Sequence, residues 1–498
     1  MRPLFRLAGG FFALSAVSLS VIPACAQKAS PAKKAPPAKP AAATKAVLAG
    51  TYGGKLAVSP TVSLTIIFHI SGTAAKPTAT MDVPEQGAKG FQVTETVLKG
   101  DAVTFRMPGL GATFAGTRSK DGKTITGTFA QSGQDFPLVL TRTTKETVVV
   151  RPQTPKPPFP YRTEEVSYAN PKATGVRLAG TLSVPTGAGP FPAVLLITGS
   201  GPQDRDETIM EHKPFAVIAD HLARRGVASL RVDDRGVGES TGDVSKATSA
   251  DFAEDVRAGV AFLKGRGEID GARIGLIGHS EGGFIAPMVA ANNPDVAFII
   301  LLSGTGVPGK AVLLEQQKAI ATAMGVPAET ITQAQRFSSA VIAILEKEKD
   351  PAAAREKINA LIAKEVLTVP VANRKADTKR LQDGFLTMCE PWFTYFLLTD
   401  PAPVLQSVSC PVLALNGSLD LQVLPKQNLP AIEAALKTGN NQDVTIRELP
   451  GLNHLFQTAK TGVPLEYATI TETFSPEALT IIAEWIAART KSAAVATP

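Results

Sequence analysis

The stretch from Ile274 to Ala286 constrains this chain more than any other. An apolar run, Ile274-Gly275-Leu276-Ile277, leads into Gly278-His279-Ser280-Glu281-Gly282, and Gly283-Phe284-Ile285-Ala286 follows with helical character. A buried strand, a tight turn and a helix in that order make the bend that holds a serine hydroxyl clear of the backbone. The bend forces strained angles on the serine, and glycines flank it because a Cβ there would strike the strand or the helix. A lone G-x-S-x-G is weak, so its surroundings must carry the argument.

Those surroundings repeat. Apolar runs at Ala193 to Ile197, Ala228 to Val232, Phe298 to Leu302 and Val412 to Leu415 have the length of strands buried on both faces. Helical stretches such as Phe215 to Arg225 and Phe252 to Leu263 lie between them. Strands alternating with helices predict a doubly wound, mostly parallel sheet in an α/β domain over residues 163–490. The rhythm breaks between Leu302 and Val412. Ile331, Phe337, Val341, Ile344 and Leu345 largely repeat at helical spacing, and Asp350-Pro351 is a helix start, with Asp at the N-cap and Pro at the first helical position. Residues 305–400 therefore read as a helical insertion, a cap over the site.

Ahead of this lies a different pattern. Val62, Leu64, Ile66, Phe68 and Ile70 alternate with Ser63, Thr65, Ile67 and His69, a strand with one buried face. Asp121-Gly122 is a hairpin turn signal, and Thr124 to Phe129 and Phe136 to Thr141 supply further strands. Residues 48–145 thus predict a small N-terminal all-β domain, an antiparallel barrel or sandwich. Five prolines between Pro152 and Pro160 mark residues 146–162 as a linker, and 491–498 as a tail completes the division.

Charge excludes one class of function. The formal net charge is +7, yet residues 1–47 hold seven basic residues and no acid; the remaining chain carries 44 basic and 44 acidic residues. A neutral body has no electrostatic footprint for nucleic acid. Arg2 and Arg6 precede the apolar run Phe11 to Ile22, and Ala24-Cys25-Ala26 offers a small-x-small cleavage site. Residues 1–26 read as a secretory signal peptide, followed by a Pro/Ala/Lys-rich linker over 27–47. The protein is then exported, periplasmic or extracellular. The alternative is a lipoprotein anchored to a membrane through Cys25, because Ile22-Pro23-Ala24-Cys25 loosely resembles a lipobox. Cys389 and Cys410 read as two buried thiols, with a single disulfide as the other option.

A serine needs a general base to take its proton, and a histidine base needs a carboxylate to hold its tautomer. Of five histidines only His454 follows Ser280; it lies in a loop after the strand-like Val444 to Leu449. Asp420 lies in a turn beyond Val412 to Leu415. Asp400 and Asp443 are worse placed, one before a proline and the other before a strand. Donors for an oxyanion are expected from the backbone N–H of Ser200 and Glu281, with Gly201 as neighbour, because Thr198-Gly199-Ser200-Gly201-Pro202 follows a strand. The glycines of Asp233-Asp234-Arg235-Gly236-Val237-Gly238 are misplaced for a dinucleotide fingerprint, so Arg235 reads as a tie between loops. No H-E-x-x-H occurs, and no metal or cofactor is expected.

GSGPQDRDE (199–207), DDRGVGES (233–240), GHSEGG (278–283), PWFTYFLLTDP (391–401) and CPVLALNGSLDLQV (410–423) together resemble a two-domain family of bacterial serine carboxylesterases in the α/β-hydrolase superfamily. ATMDVPEQGAKG (79–90) and TITGTFAQSG (124–133) are similar to that family's N-terminal domain, and serine aminopeptidase-like hydrolase domains share the neighbourhood. The resemblance implies ester hydrolysis through a serine triad, carried here by Ser280, Asp420 and His454. The chain departs at Thr198, where other α/β-hydrolases often place a histidine before the oxyanion glycine. The expected function is an exported serine esterase acting on a small-molecule ester. A peptidase of the same fold is the alternative, with Glu281, Asp204 or Asp206 able to anchor a substrate amino group. A non-catalytic envelope binding protein is the alternative of another class. Trp392, Phe393 and Phe396 read as core or as the underside of the cap.

Overall fold

The computed structural model describes residues 49–57, 63–73, 76–84, 88–131, 134–144, 151–368, 371 and 374–490. The leader of 1–26 with Cys25, the segment 27–47 and the tail 491–498 lie outside the described residues. Two compact units result, one mainly of N-terminal strands and one of strands and helices over 151–368 and 377–490.

The first unit holds β1 (Gly50–Ala57), β2 (Ser63–Thr73), β3 (Lys76–Val83), β4 (Ala88–Val93), β5 (Glu95–Lys99), β6 (Ala102–Met107), β7 (Ala112–Arg118), β8 (Thr124–Gln131) and β9 (Gln134–Thr143). They form one antiparallel sheet in the order β4-β3-β2-β1-β9-β8-β7-β6-β5. Its two end strands are joined by Thr94 alone, and β5 also packs near β3, so the sheet curls on itself instead of stacking as a sandwich. The alternation in β2 places Leu64, Ile66, Phe68 and Ile70 inside, with Ile67 buried as well. Phe68 meets Phe105 at 4.4 Å and Phe114 at 5.9 Å between ring centroids. The Asp121-Gly122 turn joins β7 to β8, with Gly122 at φ +69.

The second unit is built on β10 (Arg162–Ala169), β11 (Arg177–Val184), β12 (Phe191–Ile197), β13 (Ala228–Val232), β14 (Ile269–His279), β15 (Phe298–Leu302), β16 (Val412–Gly417) and β17 (Val444–Leu449). Their order is β10-β11-β13-β12-β14-β15-β16-β17. β10, β11 and β13 pair antiparallel; every pair from β13 to β17 is parallel. The helices are α1 (Pro214–Ala223), α2 (Ser249–Lys264), α3 (Gly282–Ala290), α4 (Gly309–Ala323), α5 (Ala328–Lys347), α6 (Pro351–Glu365), α7 (Arg374–Phe385), α8 (Pro391–Leu398), α9 (Ala402–Gln406), α10 (Pro425–Thr438) and α11 (Pro476–Thr490). α4 to α9 fill the interval between β15 and β16. None of the described helices is long and apolar enough to cross a membrane.

The continuous apolar runs follow from cores on both faces of the sheet. Ile274 and Leu276 of β14 join Ala253 of α2, Ile285 of α3 and Ile432 of α10. Ile277 turns the other way, to Phe215 and Leu222 of α1 and Ile482 of α11. Successive strand residues point to opposite faces, so a sheet covered twice needs apolar residues at every position. The Asp350 side chain accepts from the N–H of Ala352 and Ala353 and so caps α6. Cys389 is buried and Cys410 partly buried; both are free thiols, and burial pushes Cys410 up to about 12.

Arg235 ties its own loop to α2 instead of joining two loops, because the acceptors it reaches lie on that helix. Its guanidinium donates to both Asp255 oxygens, at 2.7 and 2.9 Å, and to the Asp251 carbonyl at 2.9 Å. Asn170 donates to the same carboxylate at 2.6 Å. Removing the guanidinium strands a buried carboxylate. Arg235→Ala is therefore expected to lower unfolding stability by about 3–5 kcal/mol, read by chemical denaturation; a loss under about 1 kcal/mol would mean the pair is solvated.

Candidate active site

At the end of β14 the chain turns through Ser280 at φ +54 into α3. The Ser280 N–H donates to the Leu302 carbonyl at 2.8 Å, and its carbonyl accepts from Gly283 N–H at 2.9 Å. A Cβ on Gly278 would overlap the Gly282 carbonyl, and one on Gly282 would overlap the Ile197 carbonyl. The flanking glycines are steric requirements of strand and helix passing this close.

Asp420 and His454 come together from two loops beyond β16 and β17. His454 Nδ1 and Asp420 Oδ2 are 2.9 Å apart, both residues about 1% exposed. The other Asp420 oxygen accepts from the backbone N–H of Gln422 and Val423, at 2.8 and 2.9 Å. Asn416 Nδ2 adds a contact to Oδ2 at 3.1 Å. Asp420 therefore braces its own turn as well as the imidazole. The loop of His454 is folded by Asn453, whose Oδ1 accepts from Leu455 and Gln457 N–H.

A second histidine, to which the sequence reading gave no role, connects the two halves. His279 Nε2 donates to the His454 carbonyl at 2.9 Å, and Nδ1 lies 2.9 Å from Glu207 Oε1. The two imidazoles lie 4.9 Å apart, tilted by 47°. Burial works against charge on His279, but the Glu207 carboxylate, the bond to the His454 carbonyl and the charge of Asp420 together outweigh it and raise the pKa. With acceptors at both ring nitrogens, the protonated ring is the form this setting satisfies. Glu207, at φ +51, also accepts from Gly199 N–H at 2.7 Å. The available signal was a histidine inside the turn motif, but its partner lies 72 positions away.

Ser280, Ser200 and Glu281 line one cavity of about 20 Å³, with Gln316, Val312 and Phe396 contributed by α4 and α8. Among the described residues, no backbone carbonyl takes the N–H of Ser200 or Glu281. Gly201 is not brought here; it lines an adjoining cavity of about 50 Å³ with Thr198 and Asp234, and Glu281 borders both. Thr198, at the position of the departure, donates to Asp234 at 2.7 Å. Burial holds the Asp234 carboxyl well above the usual range.

The Glu281 side chain turns away into the protein. Its Oε1 accepts from Ser249 Oγ at 2.6 Å and from Trp392 Nε1 at 2.7 Å. Burial raises its pKa against these bonds. Trp392 stacks on Phe396 at 5.9 Å, while Phe393 is core at 1% exposure. Asp204 accepts from Asp206 and Thr208 N–H, and Asp206 pairs with Lys213 and Arg231. All three acids considered as amino-group anchors thus have partners within the fold.

Among the known proteins this chain is similar to are an esterase and a peptidase family. EstD, an esterase of Thermotoga maritima, is 28% identical over 293 residues, 58% of this chain. The chain spans 61% of that relative's length. A solved esterase of Pyrococcus furiosus is 16% identical with a TM-score of 0.42, covering 69% of this chain and 99% of its own. A dienelactone hydrolase of Anabaena variabilis is likewise 16% identical, with a TM-score of 0.35 and coverage of 66% and 95%. The sequence profile of the family described as X-Pro dipeptidyl-peptidase (S15 family) matches residues 174–439, more than half of the chain. This chain belongs to the family described as X-Pro dipeptidyl-peptidase (S15 family).

Proposed function

We propose that this protein is an exported serine carboxylesterase working through Ser280, His454 and Asp420. The observation that carries the reading is the buried 2.9 Å bond from His454 Nδ1 to Asp420, in loops beside a serine held at φ +54. His454 takes the Ser280 proton as Oγ attacks the ester carbonyl. The N–H groups of Ser200 and Glu281 receive the oxyanion. The proton passes to the leaving alcohol, and water, activated by the same histidine, releases the acid and restores the serine. The cavity at Ser280 is small, which favours short acyl groups. Export rests on residues 1–26, whose charge and apolar run fit a signal peptide.

The S15 match favours a second reading, cleavage after an Xaa-Pro dipeptide. Short-chain p-nitrophenyl esters and Xaa-Pro p-nitroanilides, offered to the same wild-type protein, separate the two. Esters are expected to turn over with the higher kcat/KM, and stoichiometric labelling by a fluorophosphonate should accompany it. Anilide turnover without ester turnover would establish the peptidase, and a folded protein that fails to label would remove both.

A further inference from the structure

α4 buries a stripe spaced as a helix requires: Val312, Leu313, Gln316, Gln317 and Ile320. Apolar residues suit such a stripe, and two glutamines do not. Gln316 is 2% exposed and lines the cavity that contains Ser280. Its Oε1 has no hydrogen-bond partner among the described residues. Of the neighbouring side chains, Gln422 donates to the Tyr467 hydroxyl at 3.0 Å, and Glu281 holds Ser249 and Trp392, so neither supplies its partner. A buried amide left unpaired is costly, whereas methionine would fill the same space at no such cost. The Gln317 amide is unpaired as well, but it does not line the cavity; Gln316 alone of the two sits where a ligand at Ser280 can complete it.

We infer that Gln316 is a specificity-determining residue that hydrogen-bonds a hydroxyl on the acyl part of the substrate, so that the preferred substrates are esters of short hydroxy acids. The inference rests on the esterase reading. The acyl part is favoured because it stays on Ser280 after the alcohol has left, beside the residues that α4 and α8 contribute to the cavity. A hydroxyl both donates and accepts, so it satisfies the Gln316 amide in either orientation of its oxygen and nitrogen. Glycolyl is the simplest acyl group of this class, and propionyl is its isostere without the hydroxyl.

The test measures kcat/KM for methyl glycolate and methyl propionate by pH-stat, each divided by its hydroxide-catalysed rate. Wild-type protein is expected to favour glycolate roughly tenfold or more. Gln316→Met should bring the ratio to within about twofold of unity. Gln317→Met, at a buried neighbour that does not line the cavity, should retain the wild-type ratio. A wild-type ratio near unity overturns the inference without any variant, and so does a Gln316→Met protein that keeps the preference. If no ester is hydrolysed at all, the esterase reading falls and takes this one with it; hydrolysis without discrimination sinks only the role of Gln316.

Discussion

Ser280→Ala is expected to lower kcat for ester hydrolysis by about a millionfold and to abolish fluorophosphonate labelling, with the melting temperature little changed. The reasoning separates the side chain from the turn. The bend is held by main-chain bonds, Ser280 N–H to Leu302 and Gly283 N–H to Ser280, and alanine keeps both. Alanine also tolerates φ +54 about as poorly as serine does, so the strain is unchanged. What disappears is the hydroxyl alone. Steady-state kinetics with a short p-nitrophenyl ester, beside a thermal melt, decide the matter. A residual activity within a hundredfold of wild type would move the chemistry to another residue.

Asp420→Asn has the next largest expected effect, a fall in kcat of about ten-thousandfold. Asp420 points one oxygen at two backbone N–H groups, those of Gln422 and Val423. The new amide must place its own oxygen there, because its NH₂ would meet donors. The NH₂ then faces His454 Nδ1, where Oδ2 stood at 2.9 Å. A donor at that place makes Nδ1 an acceptor and leaves the proton on Nε2, the tautomer that cannot take a proton from serine. The turn keeps its two backbone bonds and gives up only the 3.1 Å contact from Asn416 Nδ2, which still donates to the Val423 carbonyl, so the loss should come in kcat with the fold retained. A decrease under tenfold would mean that another group orients His454.

The buried acids around these residues explain why the site is more than three side chains. Glu207 supports His279, which holds the carbonyl of His454; Glu281 holds Trp392, which stacks on Phe396 in the wall of the cavity. Each brace fixes a neighbour of a residue in the proposed triad, and supporting bonds of this kind set the geometry on which rate depends.

Features under short-range control can be read from the residues alone. The period-two strand β2, the Asp121-Gly122 turn, the Asp350 cap and the glycine-flanked bend at Ser280 are each decided within about ten residues by sterics and hydrogen bonding. Asp420 and His454 were legible for a related reason: each follows its strand directly, and neighbouring parallel strands, paired from Gly417 to Leu449, bring their ends together. The N-terminal strands could be read one by one, but not whether they stack or curl, because strand order depends on contacts between distant segments. The same limit hid the bonds of His279 to Glu207 and of Glu281 to Trp392, which join positions 72 and 111 residues apart. It hid Gln316 too, an ordinary helix residue until α4 is laid over Ser280. Only tertiary packing decides which polar groups are sealed from water and which of them are left without a partner.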